Sequence, residues 1–170
     1  MQGSARKITP FLWFDRQAEE AAGFYTSIFR DSRILAVTRY GKEGAQASGM
    51  PEGSVMTVAF QLEGQDFVAL NGGPLFTFSE AVSFVVSCDS QEEVDYYWDK
   101  LSEGGDPQAQ QCGWLKDRYG LSWQIVPGIL DELLGDPDPI KARRAMKAML
   151  QMKKIDIDSL KRAAEGWDLD

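Results

Sequence analysis

The chain has 170 residues, of which 44% are hydrophobic and 11% aromatic; that suffices for one packed domain with an appendage and excludes a disordered composition. Its formal charge of −8 lacks the basic face that nucleic acid or an anionic lipid surface requires, so no nucleic-acid or membrane partner is expected. There is no histidine, and the two cysteines, Cys88 and Cys112, fit neither a disulfide framework nor a zinc site.

In chain order, the N-terminal cations Arg6 and Lys7 have no apolar core behind them, so no secretory signal is expected. The longest apolar runs are of strand length, and the expected location is the reducing cytoplasm. Ile8–Phe14 reads as a strand and Gln17–Phe29 as a helix, with Asp15 as its N-cap and Glu19 and Glu20 in its first turn. Arg33–Tyr40 alternates as a strand, and Gly41–Gly53 reads as a loop. Ser54–Leu62 and Asp66–Asn71 are strands around a hairpin at Gly64-Gln65, and Asn71-Gly72-Gly73-Pro74 is a turn.

Ala81–Cys88 is a strand, Gln91–Glu103 a helix stopped by Gly104-Gly105, Gln108–Asp117 one or two strands, and Leu121–Pro127 the last strand. The tail is helical: a short piece at Leu130–Leu134, a helix over Ile140–Met152, and one capped by Asp156 and closed by Gly166. The chain also repeats itself. Phe11–Phe14 with Glu19 to Phe29 matches Val82–Val86 with Glu92 to Leu101: each is an apolar strand, an aspartate turn and an acidic-starting helix with an aromatic pair. Two such halves suggest a shared concavity for a ligand.

These repeated units, with Phe24-Tyr25 on the first helix, resemble the vicinal oxygen chelate superfamily of glyoxalases, extradiol dioxygenases and bleomycin-resistance proteins. Ile8–Phe14, Leu70–Pro74, Cys112–Pro127 and Ala145–Asp156 are similar to the PhnB-like family, which carries the label 3-demethylubiquinone 3-methyltransferase. The resemblance implies an α+β fold of paired βαβββ modules in a curved mixed sheet of eight to ten strands around a cleft, with a helical C-terminal tail. It implies a glyoxalase-like domain over residues 1–128, with units at about 7–75 and 80–127, an extension over 129–170, and a homodimer.

The superfamily's enzymes hold a divalent ion on the first and last strands of each unit. The matching positions here are Ile8 or Thr9, Val82 or Ser83, Val68 or Ala69, and Gln124, of which only Gln124 is a candidate ligand. No metal and no cofactor is therefore expected. No glycine-rich turn follows a strand in the manner of a nucleotide-cofactor site.

The candidate ligand-binding residues are Trp13, Asn71, Gly72, Phe76, Ser83, Cys112, Trp114, Asp117 and Gln124; no catalytic residue is assigned. Cys112 reads as a pocket thiol or a small buried hydrophobe, and Asp117 as a site carboxylate or the acceptor of a tight turn ending at Gly120. If Gln124 faces the cavity, its neighbour Trp123 faces the helices. The leading expectation is a metal-free protein that binds a small apolar or aromatic molecule. The alternative is an enzyme, a methyltransferase, lyase or isomerase acting on a quinone-like or other small aromatic substrate through Asp117, Lys116 or Cys112.

Overall fold

The structure, a computed structural model, describes residues 7–167 and divides into two compact units, one ending at Thr77 and the other starting at Phe78. The first contains β1 (Phe11–Phe14), α1 (Ala18–Ile28), β2 (Arg33–Arg39), α2 (Lys42–Ser48), β3 (Val55–Leu62) and β4 (Gln65–Asn71). Its sheet runs β1-β4-β3-β2, with β1 parallel to β4 and the other pairs antiparallel.

Helix α1 forms because Ala18, Ala21, Ala22, Tyr25 and Ile28 fall on one stripe, and all five are buried against β3 and β4. Tyr25 stacks on Phe60 at 6.2 Å between centroids, and Phe60 on Phe67 at 5.4 Å. The cap differs from the expectation at Asp15. Gln17 stands at the N-cap without a side-chain capping bond, and the Ala18 N–H donates 2.8 Å to Asn71 Oδ1 at the end of β4. A cap supplied from another strand has no local sequence signature. The 41–53 segment also differs: Lys42–Ser48 is a helix, closed by Gly49 at φ +74°. It buries no side chain, so no apolar stripe marks it. The β3–β4 hairpin forms one residue earlier than the expected Gly64-Gln65, at Glu63 and Gly64, both at positive φ, and Gln65 opens β4.

The second unit contains β5 (Ser83–Cys88), α3 (Gln91–Ser102), a 3₁₀ turn at Pro107–Ala109, β6 (Trp114–Lys116), β7 (Ser122–Pro127), α4 (Ile129–Leu134), α5 (Pro139–Met149) and α6 (Ile157–Glu165). Its sheet is β5-β7-β6, with β5 and β7 parallel. The described residues thus form sheets of four and three strands, fewer than the eight to ten expected. Pro107 lacks an N–H for a ladder, and Asp106 accepts from Gln108 N at 2.9 Å; together they make a 3₁₀ turn, and the strand expected within Gln108–Asp117 is confined to Trp114–Lys116.

Ser90 caps α3 through Glu93 N, and Val94, Tyr97, Trp98 and Leu101 bury its inner stripe. The tail is tied to this unit. Cys112 N and Gly113 N donate to Met152 O and Lys153 O, each at 2.8 Å. Gln91 donates to Ile155 O and accepts from Ile157 N, and Lys154 pairs with Asp95 at 2.7 Å. Leu130, Ile155 and Leu160 form a small core beneath α4–α6. Asp156 caps α6 and Gly166 closes it at φ +82°, as the sequence indicates. Among the described residues no helix is long and apolar enough to cross a membrane.

Candidate functional site

Strand alternation gives each sheet one helix-packed face and one open face. In the first unit Phe11, Trp13, Val68 and Leu70 share the open face by register. Trp13 meets Phe76 edge-on at 5.0 Å and donates its Nε1–H to Gly73 O at 2.9 Å. Its ring lies so close to Gly72 that a Cβ there would stand 2.2 Å from Cζ2. The structure therefore brings Trp13, Gly72 and Phe76 together as an apolar cluster, with Phe76 58% exposed. Asn71 does not join them. Its side chain is buried, accepting from Ala18 N and donating to Val55 O at 3.1 Å. Its role is to join α1 to the sheet.

In the second unit the register puts Ser83, Val85, Ser122, Gln124, Trp114 and Lys116 on one face. Gln124 Nε2 donates to Ser83 Oγ at 2.9 Å. Val85, beside Gln124, is 56% exposed, while Trp114 is half-buried across from it. At the edge Lys116 pairs with Glu80, and its hydrogen bond holds the Glu80 carboxyl below the usual range. Ser122 Oγ is buried on this face and makes no hydrogen bond. Trp123 points the other way, buried against α3 beside Phe84, as expected from its neighbour Gln124.

Ser122, Val85 and Phe11 were missed by sequence reasoning. Parity was the available signal for the first two: Ser122 lies two residues before Gln124, and Val85 two after Ser83.

Asp117 and Cys112 stand apart from this face. Asp117 is buried; Oδ1 accepts from Tyr119 N at 2.8 Å and Leu121 N at 3.1 Å, and Oδ2 accepts from Trp123 Nε1 at 2.9 Å. That is the turn role, with Gly120 at φ +82°. Cys112 has φ +51° and is held by its N–H to Met152 O, so it serves the junction with the tail. Cys88 is 1% exposed, and burial, reinforced by Glu93 and Asp89, pushes its thiol up to about 12.

The thiols should therefore differ in reactivity. Iodoacetamide at pH 8 should add one adduct to the native chain, at half-buried Cys112, and two to the denatured chain, counted by mass spectrometry. Because the folded thiol titrates above the unfolded one at 9.0, this group's stabilisation holds below about pH 9 and is lost as pH rises toward 12. Urea midpoints above pH 9 should fall more steeply for the wild type than for Cys88→Ala.

Units of strand, helix and paired strands with open sheet faces define a glyoxalase-type fold. The chain belongs to the 3-demethylubiquinone-9 3-methyltransferase family, whose sequence model matches residues 6–126. It is similar to the PhnB protein from Bacillus cereus at 38% identity and a TM-score of 0.63, over 72% of this chain and 100% of that one. It shares its fold with protein PA1353 from Pseudomonas aeruginosa (20% identity, TM-score 0.55, 72% of this chain and 98% of that one). The fosfomycin resistance protein FosX from Mesorhizobium loti is a further fold neighbour (16%, TM-score 0.51, 79% of this chain and 98% of that one). No curated protein matches the sequence.

The divalent ion of the wider superfamily does not fit the residues present. On the open faces the first and last strands of each unit offer Phe11, Trp13, Val68 and Leu70, and Ser83, Val85, Ser122 and Gln124. A primary amide already bonded to a hydroxyl, with two serine hydroxyls, is a poor substitute for carboxylates and imidazoles. Among the described residues no three of His, Cys, Asp and Glu come together as a metal set.

Proposed function

We propose that the protein binds a small aromatic or apolar molecule, without a metal, on the open face of the β5-β7-β6 sheet. The observation carrying this reading is the half-buried Gln124–Ser83 amide–hydroxyl pair beside exposed Val85. Neutral polar groups next to an exposed apolar side chain suit a ligand that pairs a polar atom with an apolar surface. Gln124 and Ser83 are the neutral anchors, and Trp114 adds an aromatic side. The Trp13–Phe76 cluster gives the first unit an apolar wall of its own.

Self-association and a cytoplasmic location belong to the same proposal. A homodimer is supported by β2, which ends its sheet and leaves Ile34, Leu35 and Val37 at least 40% exposed; sedimentation velocity reads the mass.

Thermal shift against a panel of quinones and small aromatic compounds tests the binding reading. Saturation at a hundred times Kd should stabilise the wild type by about 2.7 kcal/mol, several degrees in Tm. Gln124→Ala with Ser83→Ala should abolish the shift while leaving the basal Tm within a few degrees. Turnover that requires added Mn²⁺, Fe²⁺ or Zn²⁺ would overturn it. Methyl transfer is the second reading, favoured by the family's description. Consumption of S-adenosylmethionine in the presence of a quinol would establish it in place of the first.

A further inference from the structure

The family match ends at residue 126, before α4, α5 and α6, and the Bacillus chain is covered in full by 72% of this one. Helices α5 and α6 enclose a groove of about 720 Å³, the size of a small-molecule site. Its charge is unlike that of the rest of the chain. Every charged residue of α5 is a cation (Lys141, Arg143, Arg144, Lys147), in a protein of net charge −8. Lys141 is neutralised by Glu165 at 2.6 Å. Arg144 and Lys147, which line the groove, have no ion pair among the described residues.

Arg144 lies against bare Gly166, where a Cβ would stand 2.6 Å from Nη1. Next to it, Trp167 is 65% exposed; its backbone N–H donates to Arg162 O, and that of Gly166 to Ala163 O, closing α6. The floor between is apolar, formed by Ala148, Met152 and Ala163. Asp156 caps the opposite end of α6 from Gly166, about 15 Å away by helical rise, with its carboxylate bonded to Ser159 N.

We infer that this groove binds a small anion with a flat apolar body, an aromatic carboxylate, sulfonate or phosphate ester. The acid group sits at Arg144 and Lys147, the ring lies on Trp167, and the apolar body runs over Met152 toward Asp156, whose charge keeps the acid group at the other end. A guanidinium fork beside an exposed indole and an apolar floor recognises both parts of such a ligand, and an uncharged analogue satisfies only one.

The test uses the full chain and two fluorescent probes: 8-anilinonaphthalene-1-sulfonate and its neutral counterpart N-phenyl-1-naphthylamine. The sulfonate should bind saturably with one site per chain. Arg144→Gln with Lys147→Gln should weaken it at least tenfold and leave the neutral probe within twofold. Trp167→Leu, which leaves the cations in place, should weaken both probes. Arg143→Gln, which removes a cation of the same helix outside the lining of the groove, should leave both affinities unchanged. Sulfonate affinity unchanged in the double variant would overturn the inference. So would loss of self-association in that variant without loss of probe binding, which would assign the surface to a second copy of the chain.

Discussion

Replacing Asp117 by alanine should destabilise the protein by about 4 kcal/mol, read as a fall in the urea midpoint with unchanged m-value. The carboxylate accepts two backbone N–H groups and the Trp123 indole N–H; the bonds from Leu121 and Trp123 are buried and that from Tyr119 partly so. Removal strands three donors, and a buried donor left without a partner loses about 1–3 kcal/mol. Asp117→Asn separates geometry from charge. It retains Oδ1 for Tyr119 and Leu121 but presents an amide N–H to the indole N–H, so the loss should be about 2 kcal/mol, with a changed near-ultraviolet signal from Trp123. If Asp117→Ala instead kept full stability and abolished binding or turnover, the residue would belong to a site and the turn assignment would fail.

Gly72→Ala should destabilise by about 3 kcal/mol and expose Trp13. Gly72 does not lie at positive φ, so the penalty is steric: the new methyl would stand 2.2 Å from Cζ2 and 2.4 Å from Cε2 of the indole. The ring must swing out, breaking its bond to Gly73 O and its edge contact with Phe76. Trp13→Ala should make the alanine at 72 tolerable, so the double mutant should fall short of the summed single effects by about 2 kcal/mol in a urea-monitored cycle. Additive effects would show that the glycine serves the turn alone.

Local signals were legible wherever neighbours in sequence settle the outcome. The stripes of α1 and α3 follow from alanine and aromatic spacing, and the Asp156 and Gly166 ends of α6 from capping chemistry that acts within four residues. The opposed faces of Trp123 and Gln124 follow from the two-residue period of a strand. By contrast, α2 carries no apolar stripe, and the donor set around Asp117 mixes nearby backbone with an indole on the next strand.

By itself the sequence determined the family, the repeated strand–helix units, the helical tail and a scarcity of metal donors on the first and last strands of each unit. Only the tertiary structure decided that Asn71 caps a helix 53 residues away, that Asp117 and Cys112 support backbone, and that Ser122 Oγ is buried without a partner. The physical reason is range. Helical period, strand parity and caps act between residues a few positions apart, whereas which donor satisfies a buried polar atom depends on strands and helices that meet only when the chain has folded.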